Sequence, residues 1–292
     1  MQTDVKVSTP EALTILKTSL HDIMVQLITP PPRLKLSEWT EKNIYFGASS
    51  PEPGPFRTDR APYQKGMLDV CGNIRHQRVV IMSAAQIGKS SILLAMIGYY
   101  ISQEPSPIMY CSSDKSQADS FSTIRLDPCI DESPILRKLI ASRRKRDGGN
   151  RRSEKKFPGG FVTFVSAKSA HSLRARAIRV LLADEVDSWE HDLRGEGDPV
   201  RLAEARTSNF PNRRIILVST PTVKDYSRIE REFLASDQRY FYVPCPHCNT
   251  FQVLKWGGSD NKFGLHWQEK NPSTVFYVCN TCDQHIDESN KL

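Results

Sequence analysis

The segment VVIMSAAQIGKSSILLA, residues 79–95, carries a glycine, a lysine and paired hydroxyls at a spacing that suits a phosphate group. The general pattern is G-x-x-x-x-G-K-[ST]. Here Ser83 stands where the first glycine falls, while Gly88, Lys89 and Ser90 keep their places. Gly88 lets the backbone approach an anion closely. Lys89 brings a positive charge to the β and γ phosphates of a nucleotide, and the Ser90 hydroxyl, with Ser91 beside it, can ligate Mg²⁺. Ser83 gives up some turn freedom, because serine disfavours positive φ, but Ala84 and Ala85 are small enough to keep the loop tight. The competing explanation is a chance G-K-S in a strand–helix turn.

VLLADEVD, residues 180–187, weighs against chance. An apolar strand ending in Asp-Glu puts Asp184 at the carboxyl edge of a sheet, where ligands gather in α/β folds. There Asp184 can hold Mg²⁺ through water, and Glu185 can orient and deprotonate an attacking water. The two segments lie about ninety residues apart, each on an expected strand. ATP hydrolysis is the chemistry they suit together. Two further segments fit it. In RTDRAPYQKG (57–66), Gln64 offers an amide that can pair with the N6/N7 edge of adenine, and Tyr63 a ring to stack on the base; an ordinary loop aromatic and surface amide explain them equally. In LVSTPT (217–222), Ser219 and Thr220 can sense a γ phosphate or simply cap the next turn.

A different chemistry is written near the end of the chain. Cys245-Pro-His-Cys248 and Cys279-Asn-Thr-Cys282 are two C-x-x-C knuckles with thirty residues between Cys248 and Cys279. Four thiolates at tetrahedral distances make a closed structural zinc site. His247 and His285 are alternative ligands. Cys71, Cys111 and Cys129 have no partner in the sequence and read as core thiols. The run RRKRDGGNRRSEKK (143–156) sets eight basic side chains against Asp147 and Glu154 and reads as a mobile loop, for which a merely solvated surface is the usual explanation.

The elements that must position these groups follow from the apolar pattern. RVVIM (78–82), PIMYC (107–111), FVTFV (161–165), RVLLAD (179–184) and RIILVS (214–219) are short continuous apolar runs separated by helical segments. Such runs suit strands buried on both faces of a parallel sheet flanked by helices, an α/β architecture. Residues 9–28 have the periodicity of an amphipathic helix, opened by Thr9 and Pro10 and stopped by Pro30-Pro31-Pro32. After about residue 237 the composition turns aromatic, Cys- and Gly-rich, and two short β hairpins are expected. The chain thus divides into an N-terminal helix and linker (1–34), an ATPase domain (35–237) and a small β-rich zinc ribbon (238–292). With 292 residues, a net charge of +7 and a pI near 9.0, an acidic polymer suits it as partner. No stretch reaches the ~18 apolar residues of a membrane span. C-x-x-C pairs favour metal ligation in a reducing compartment over disulfides, so a soluble intracellular protein is expected.

The segments RAPYQKG, SAAQIGKSS, LRARAIRVLLADEVD (173–187), RTSNFPNRRIILVSTPT (206–222), CPHC and CNTC together resemble the ATPase part of the large terminase subunit of lambda-like tailed phages. The resemblance covers roughly residues 35–285. It implies a P-loop NTPase fold of the RecA/ASCE type with ATP, Mg²⁺ and Zn²⁺ as cofactors. It implies a motor that packages double-stranded viral DNA in the host cytoplasm. The implied partners are a small terminase subunit, a capsid portal and further copies of the chain in a ring. Lys89, Ser90, Asp184 and Glu185 would carry the ATPase roles, and Ser219-Thr220-Pro221 would couple hydrolysis to movement. A ring motor needs an arginine against the transferred phosphate; Arg174 and Arg176 are the candidates, and two surface arginines are the plain alternative. The helix at 9–28 would dock the small subunit or simply pack against the ATPase sheet, and in a DNA motor the basic run 143–156 would touch DNA phosphates or stay merely solvated. The family's nuclease is a further C-terminal domain, and with Leu292 only ten residues past Cys282 this chain is expected not to cut DNA. Two other readings remain open: a helicase-like DNA-dependent ATPase, which needs a second RecA-like lobe, and a non-hydrolysing DNA-binding scaffold with a degenerate nucleotide fold.

Overall fold

The structure, a computed structural model, describes residues 34–48, 50–140, 150–257 and 261–290. The helix expected at 9–28 and the basic residues 143–149 lie outside the described residues. The chain divides into two compact units, one running to Ile229 and the other beginning at Glu230. Among the described residues no helix is long and apolar enough to cross a membrane.

The first unit opens with helix α1 (Leu36–Asn43), a small ribbon of β1 (Tyr45–Phe46) and β2 (Gly54–Pro55), and helix α2 (Pro62–Gly72). Its sheet holds β3 (Arg78–Met82), β4 (Pro107–Ser112), β5 (Asn150–Arg151), β6 (Glu154–Phe157), β7 (Gly160–Ser166), β8 (Val180–Asp184) and β9 (Arg214–Ser219). Across the sheet the order is β3-β9-β8-β4-β7-β6-β5. The first five of these run parallel, and β6 and β5 extend one edge antiparallel. All five strands expected from the apolar runs are present at those positions.

Successive residues on these strands enter two separate cores. Ile108, Tyr110, Val180, Leu182, Ile216 and Val218 pack on one face, where α1 and helix α3 (Lys89–Ser102) lie. Met109, Cys111, Leu181, Ala183, Ile215 and Leu217 pack on the other, with Val186, Trp189 and Val200. Burial on both faces is why these strands read as unbroken apolar runs. Each fully buried aliphatic side chain contributes about 1.5–3 kcal/mol relative to exposure, so two cores of this extent hold the carboxyl edge of the sheet rigid. Cys71, Cys111 and Cys129 are buried in them as expected.

The basic run departs from its sequence reading as a single loop. Residues 150–151 and 154–156 belong to strands β5 and β6, and Lys155 is fully buried, its Nζ 2.8 Å from Asp127. The physical reason is a two-residue alternation hidden among the charges: Lys155 and Phe157 face inward while Lys156 faces solvent. Lys155 is therefore no contact for a DNA phosphate.

In the second unit a two-residue ladder joins β10 (Val243–Pro244) to β11 (Phe251–Gln252). A three-stranded antiparallel sheet contains β12 (Gly264–Gln268), β13 (Asn271–Val278) and β14 (His285–Asp287). Among the described residues the unit thus has five strands, one more than the two hairpins expected.

Candidate active site and metal centre

Because β3, β9 and β8 are parallel, the residues that follow them emerge at the same edge. The register sets Met82 beside Ser219 and Val218 beside Asp184. The loop after β3 turns through two residues of positive φ, Gln86 (61°) and Gly88 (90°), into α3. At Gly88 the need for glycine is twofold: its φ is left-handed, and a Cβ would lie 2.1 Å from Gln64 Nε2. Ser83 holds the start of the loop by donating its N–H to the Ser219 carbonyl at 3.2 Å.

Lys89 is buried, although it is the first residue of a helix. Its Nζ donates to the Ala84 carbonyl at 2.9 Å and to Thr220 Oγ1 at 2.7 Å, and lies 3.8 Å from Glu185 Oε1. The other carboxylate oxygen of Glu185 accepts from Ser219 Oγ at 3.3 Å and from the Thr220 N–H at 3.5 Å. Glu185 itself has φ 52°, ψ 49°, a left-handed conformation that costs a residue with a Cβ roughly 1–2 kcal/mol. The network around it over-determines that strain, and the half-exposed carboxylate is turned toward Lys89 and Thr220 as a result.

Asp184 is buried at the end of β8. Oδ2 accepts from the Tyr110 hydroxyl at 2.7 Å, whereas Oδ1 is buried without a hydrogen-bond partner. Burial pushes its carboxyl up to about 6; the Tyr110 hydrogen bond opposes this and the neighbouring Glu185 charge adds to it. A buried acceptor without a donor costs on the order of 1–3 kcal/mol unless something occupies it. A hard cation is the natural occupant of a lone carboxylate oxygen.

The remaining sequence candidates lie at varied distances from this chemistry. Gln64 is buried on α2, and its amide donates to the Ile87 carbonyl at 2.9 Å, so it props the loop after β3. Tyr63 precedes it, half-buried, on the first turn of α2. Ser90 and Ser91 are half-buried on the first turn of α3. Arg174 is paired with Glu196 and also donates to the Glu196 carbonyl at 3.2 Å. Arg176 is paired with Glu154 and sits over the Phe161 ring at 5.0 Å. Both arginines are engaged by local partners on the surface.

Three groups escaped the sequence reading. Tyr110 sits inside an apolar run, and its polar atom gives no signal in a hydrophobic pattern. Asp187, last residue of DEVD, receives hydrogen bonds from Thr222, Ser227 and Ile229. Its presence in the acidic tetrad was the available signal. Arg228 is buried and straps the turn after β8 by donating to the carbonyls of Val186 at 2.7 Å and Glu190 at 2.8 Å. Nothing in the sequence marks it out.

In the second unit the four knuckle cysteines converge. Their sulfurs all lie within 4.8 Å of one another, with Cys245–Cys282 and Cys248–Cys279 each 3.9 Å apart. Four thiolates about 2.3 Å from one tetrahedral zinc have sulfurs about 3.8 Å apart, whereas a disulfide has about 2.05 Å. The two knuckles repeat one backbone design. The N–H of Asn249 donates to the Cys245 carbonyl at 2.9 Å, and that of Asp283 to the Cys279 carbonyl at 3.2 Å. Both Asn249 (56°) and Asp283 (60°) have positive φ, which these residue types tolerate best after glycine. His247 Nε2 donates to the His285 carbonyl at 2.9 Å, and neither histidine joins the cluster.

Comparison with known proteins shows the family. The family described as phage terminase large subunit gpA, ATPase domain, matches residues 50–292. The terminase large subunit of Enterobacteria phage P21 is 30% identical over 277 residues, which is 91% of this chain and 42% of that protein. The terminase large subunit of Escherichia phage lambda is 29% identical over 263 residues, 88% of this chain and 40% of that one. The crystal structure of the HK97 bacteriophage large terminase superposes with a TM-score of 0.55 at 14% identity, over 69% of this chain and 41% of that chain, a likeness of fold. The chain spans about two fifths of the length of the curated relatives it matches. It belongs to the phage terminase large subunit gpA family, within the ATPase domain.

Proposed function

We propose that the first unit is a P-loop ATPase, and that the chain is the motor part of a terminase driving double-stranded viral DNA into a capsid. The observation that carries this reading is the meeting of Lys89, Thr220 and Glu185, delivered by three different strand ends, within hydrogen-bond or ion-pair distance of one another. Phosphate is the ligand that suits this set. Lys89, fixed at the start of α3, supplies the charge for the β and γ phosphates, and the helix N-terminus adds its own positive potential. Ser90 and Asp184 would hold Mg²⁺, Asp184 through its unpartnered Oδ1. Bound there, the ion would screen the phosphate charge during transfer. Glu185 takes the proton of the attacking water, and its carboxylate is already aimed by Ser219 and Thr220.

Other assignments follow the same logic. For Tyr63 and Gln64 to receive adenine, the Gln64 amide must exchange the Ile87 carbonyl for the base. For Arg174 or Arg176 to serve a neighbouring subunit's phosphate, it must leave Glu196 or Glu154. The second unit is a zinc ribbon held by Cys245, Cys248, Cys279 and Cys282, with sulfur spacing that supports a tetrahedral ion. We divide the chain into an N-terminal helix and linker to residue 34, the ATPase domain to 237, and the ribbon beyond. A small terminase subunit, a capsid portal and a ring of further copies are the partners, in the host cytoplasm.

Steady-state phosphate release from ATP, with and without linear double-stranded DNA, tests the proposal. Mg²⁺-dependent turnover that rises with DNA is expected. Absence of turnover under both conditions would overturn the reading in favour of a non-hydrolysing scaffold.

A further inference from the structure

We propose that Asp187 is a positioning residue that keeps Thr220 in register with Lys89 and Glu185; this rests on the ATPase reading above. Asp187 lies in the turn immediately after β8, two residues beyond Glu185. Its backbone N–H donates to Ser219 Oγ at 3.2 Å, the same hydroxyl that donates to Glu185 Oε2. Its Oδ2 accepts from the Thr222 N–H at 2.9 Å and from Thr222 Oγ1 at 2.8 Å. Thr220, which receives the Lys89 ammonium, lies between the two residues so held. One aspartate therefore fixes the chain on both sides of Thr220.

The other carboxylate oxygen has a separate job. Oδ1 accepts from Ser227 Oγ at 3.0 Å and from the Ile229 N–H at 2.7 Å, which caps helix α4 (Arg228–Leu234) from outside. The two oxygens thus serve two structures, the site through Thr222 and the helix through Ser227 and Ile229. Burial alone would raise the carboxyl, but these hydrogen bonds outweigh it and hold Asp187 below its ordinary range, hence ionised.

This division makes the role separable. In Asp187→Asn only one oxygen remains, and the amide –NH₂ must face the backbone N–H of either Thr222 or Ile229, neither of which can turn away. Thr222→Val removes a contact on the site side alone, and Ser227→Ala one on the helix side alone. Using the full chain, nucleotide affinity, kcat, KM and melting temperature would be measured for the three variants. For Asp187→Asn we expect ADP affinity within about threefold of wild type and kcat lower by about tenfold or more. Thr222→Val should lower kcat by about threefold to tenfold, whereas Ser227→Ala should lower the melting temperature with kcat within about twofold. If Asp187→Asn does not fold, the Thr222/Ser227 pair still decides. Equal kcat losses in Thr222→Val and Ser227→Ala, or wild-type kcat in both Asp187→Asn and Thr222→Val, would overturn the positioning role while leaving the ATPase reading intact. A wild-type chain without turnover would overturn both.

Discussion

Lys89 and Glu185 follow strands that are not neighbours, yet Lys89 Nζ and Glu185 Oε1 lie 3.8 Å apart. Strand β9 runs between their strands, and its extension supplies Thr220, which touches both. The interposed strand sets a hydroxyl against the pair, which at 3.8 Å is in direct contact and must part for a phosphate to enter. It also lets a third strand sense what lies there. The same arrangement gives the two charged residues different tasks, which mutation can separate.

Lys89→Ala removes charge that a nucleotide meets in both ground and transition states. We expect ATP and ADP to bind about tenfold to a hundredfold more weakly. Glu185→Gln keeps the size and most of the hydrogen bonding but cannot accept a proton. It should bind nucleotide normally and lose turnover by about 10²-fold or more. Wild-type kcat in Glu185→Gln would remove that residue from the role of base.

Tyr110→Phe should test whether the hydroxyl sets the geometry of Asp184. Its loss leaves both oxygens of a buried carboxylate without the partner seen here, at a cost of about 1–3 kcal/mol in unfolding free energy. Half-saturation by Mg²⁺ in the turnover assay should rise as Asp184 becomes free to turn. An unchanged Mg²⁺ requirement with lowered stability would confine Tyr110 to a packing role against Phe121, on which it stacks at 4.0 Å.

The strand framework was legible because parallel strands buried on both faces write continuous apolar runs, and all five such runs became strands. The placement of Gly88 before a helix and of residues 184–185 at a strand end was legible because residue types at fixed spacing mark such turns. What was hidden was hidden for physical reasons. Lys155 and Phe157 alternate within a run whose charges drown the pattern. Tyr110 acts through one polar atom on an otherwise apolar ring, and Arg228 through carbonyls that every residue possesses. Sequence pattern reports side-chain identity. It is silent on which backbone groups a side chain will reach.

The second unit should depend on its metal. Purified without chelator, the chain is expected to carry about one zinc per molecule, and Cys279→Ser should release it. Cys279 lies in a knuckle whose two sulfurs each approach a sulfur of the other, so its loss unties both. Proteolysis should then begin beyond residue 240 while β3 to β9 stay protected. Stoichiometric absence of zinc in native protein would reduce the cluster to four close thiols.

Asp184 offers a test in which stability and function move in opposite directions. Its carboxyl is pushed up to about 6 from an ordinary 3.8, chiefly by burial. A carboxyl raised on folding favours the native state only while it is protonated. That advantage is complete below about pH 3.8, is lost as pH rises toward about 6, and is absent above. At pH 7–8 the folded chain therefore carries a buried charge at a cost on the order of 2–3 kcal/mol. Asp184→Asn removes the charge and can keep an oxygen for the Tyr110 hydroxyl. Without Mg²⁺ it should melt several degrees higher than wild type at pH 8, and the difference should shrink toward zero near pH 4. Turnover should be lost at every pH, because a neutral amide is a poor ligand for a hard cation. Melting temperatures across pH 4–8 check the first half and phosphate release the second. A variant less stable than wild type at pH 8 would mean that the Asp184 carboxylate is held by favourable interactions at neutral pH, contrary to the orphaned oxygen seen here.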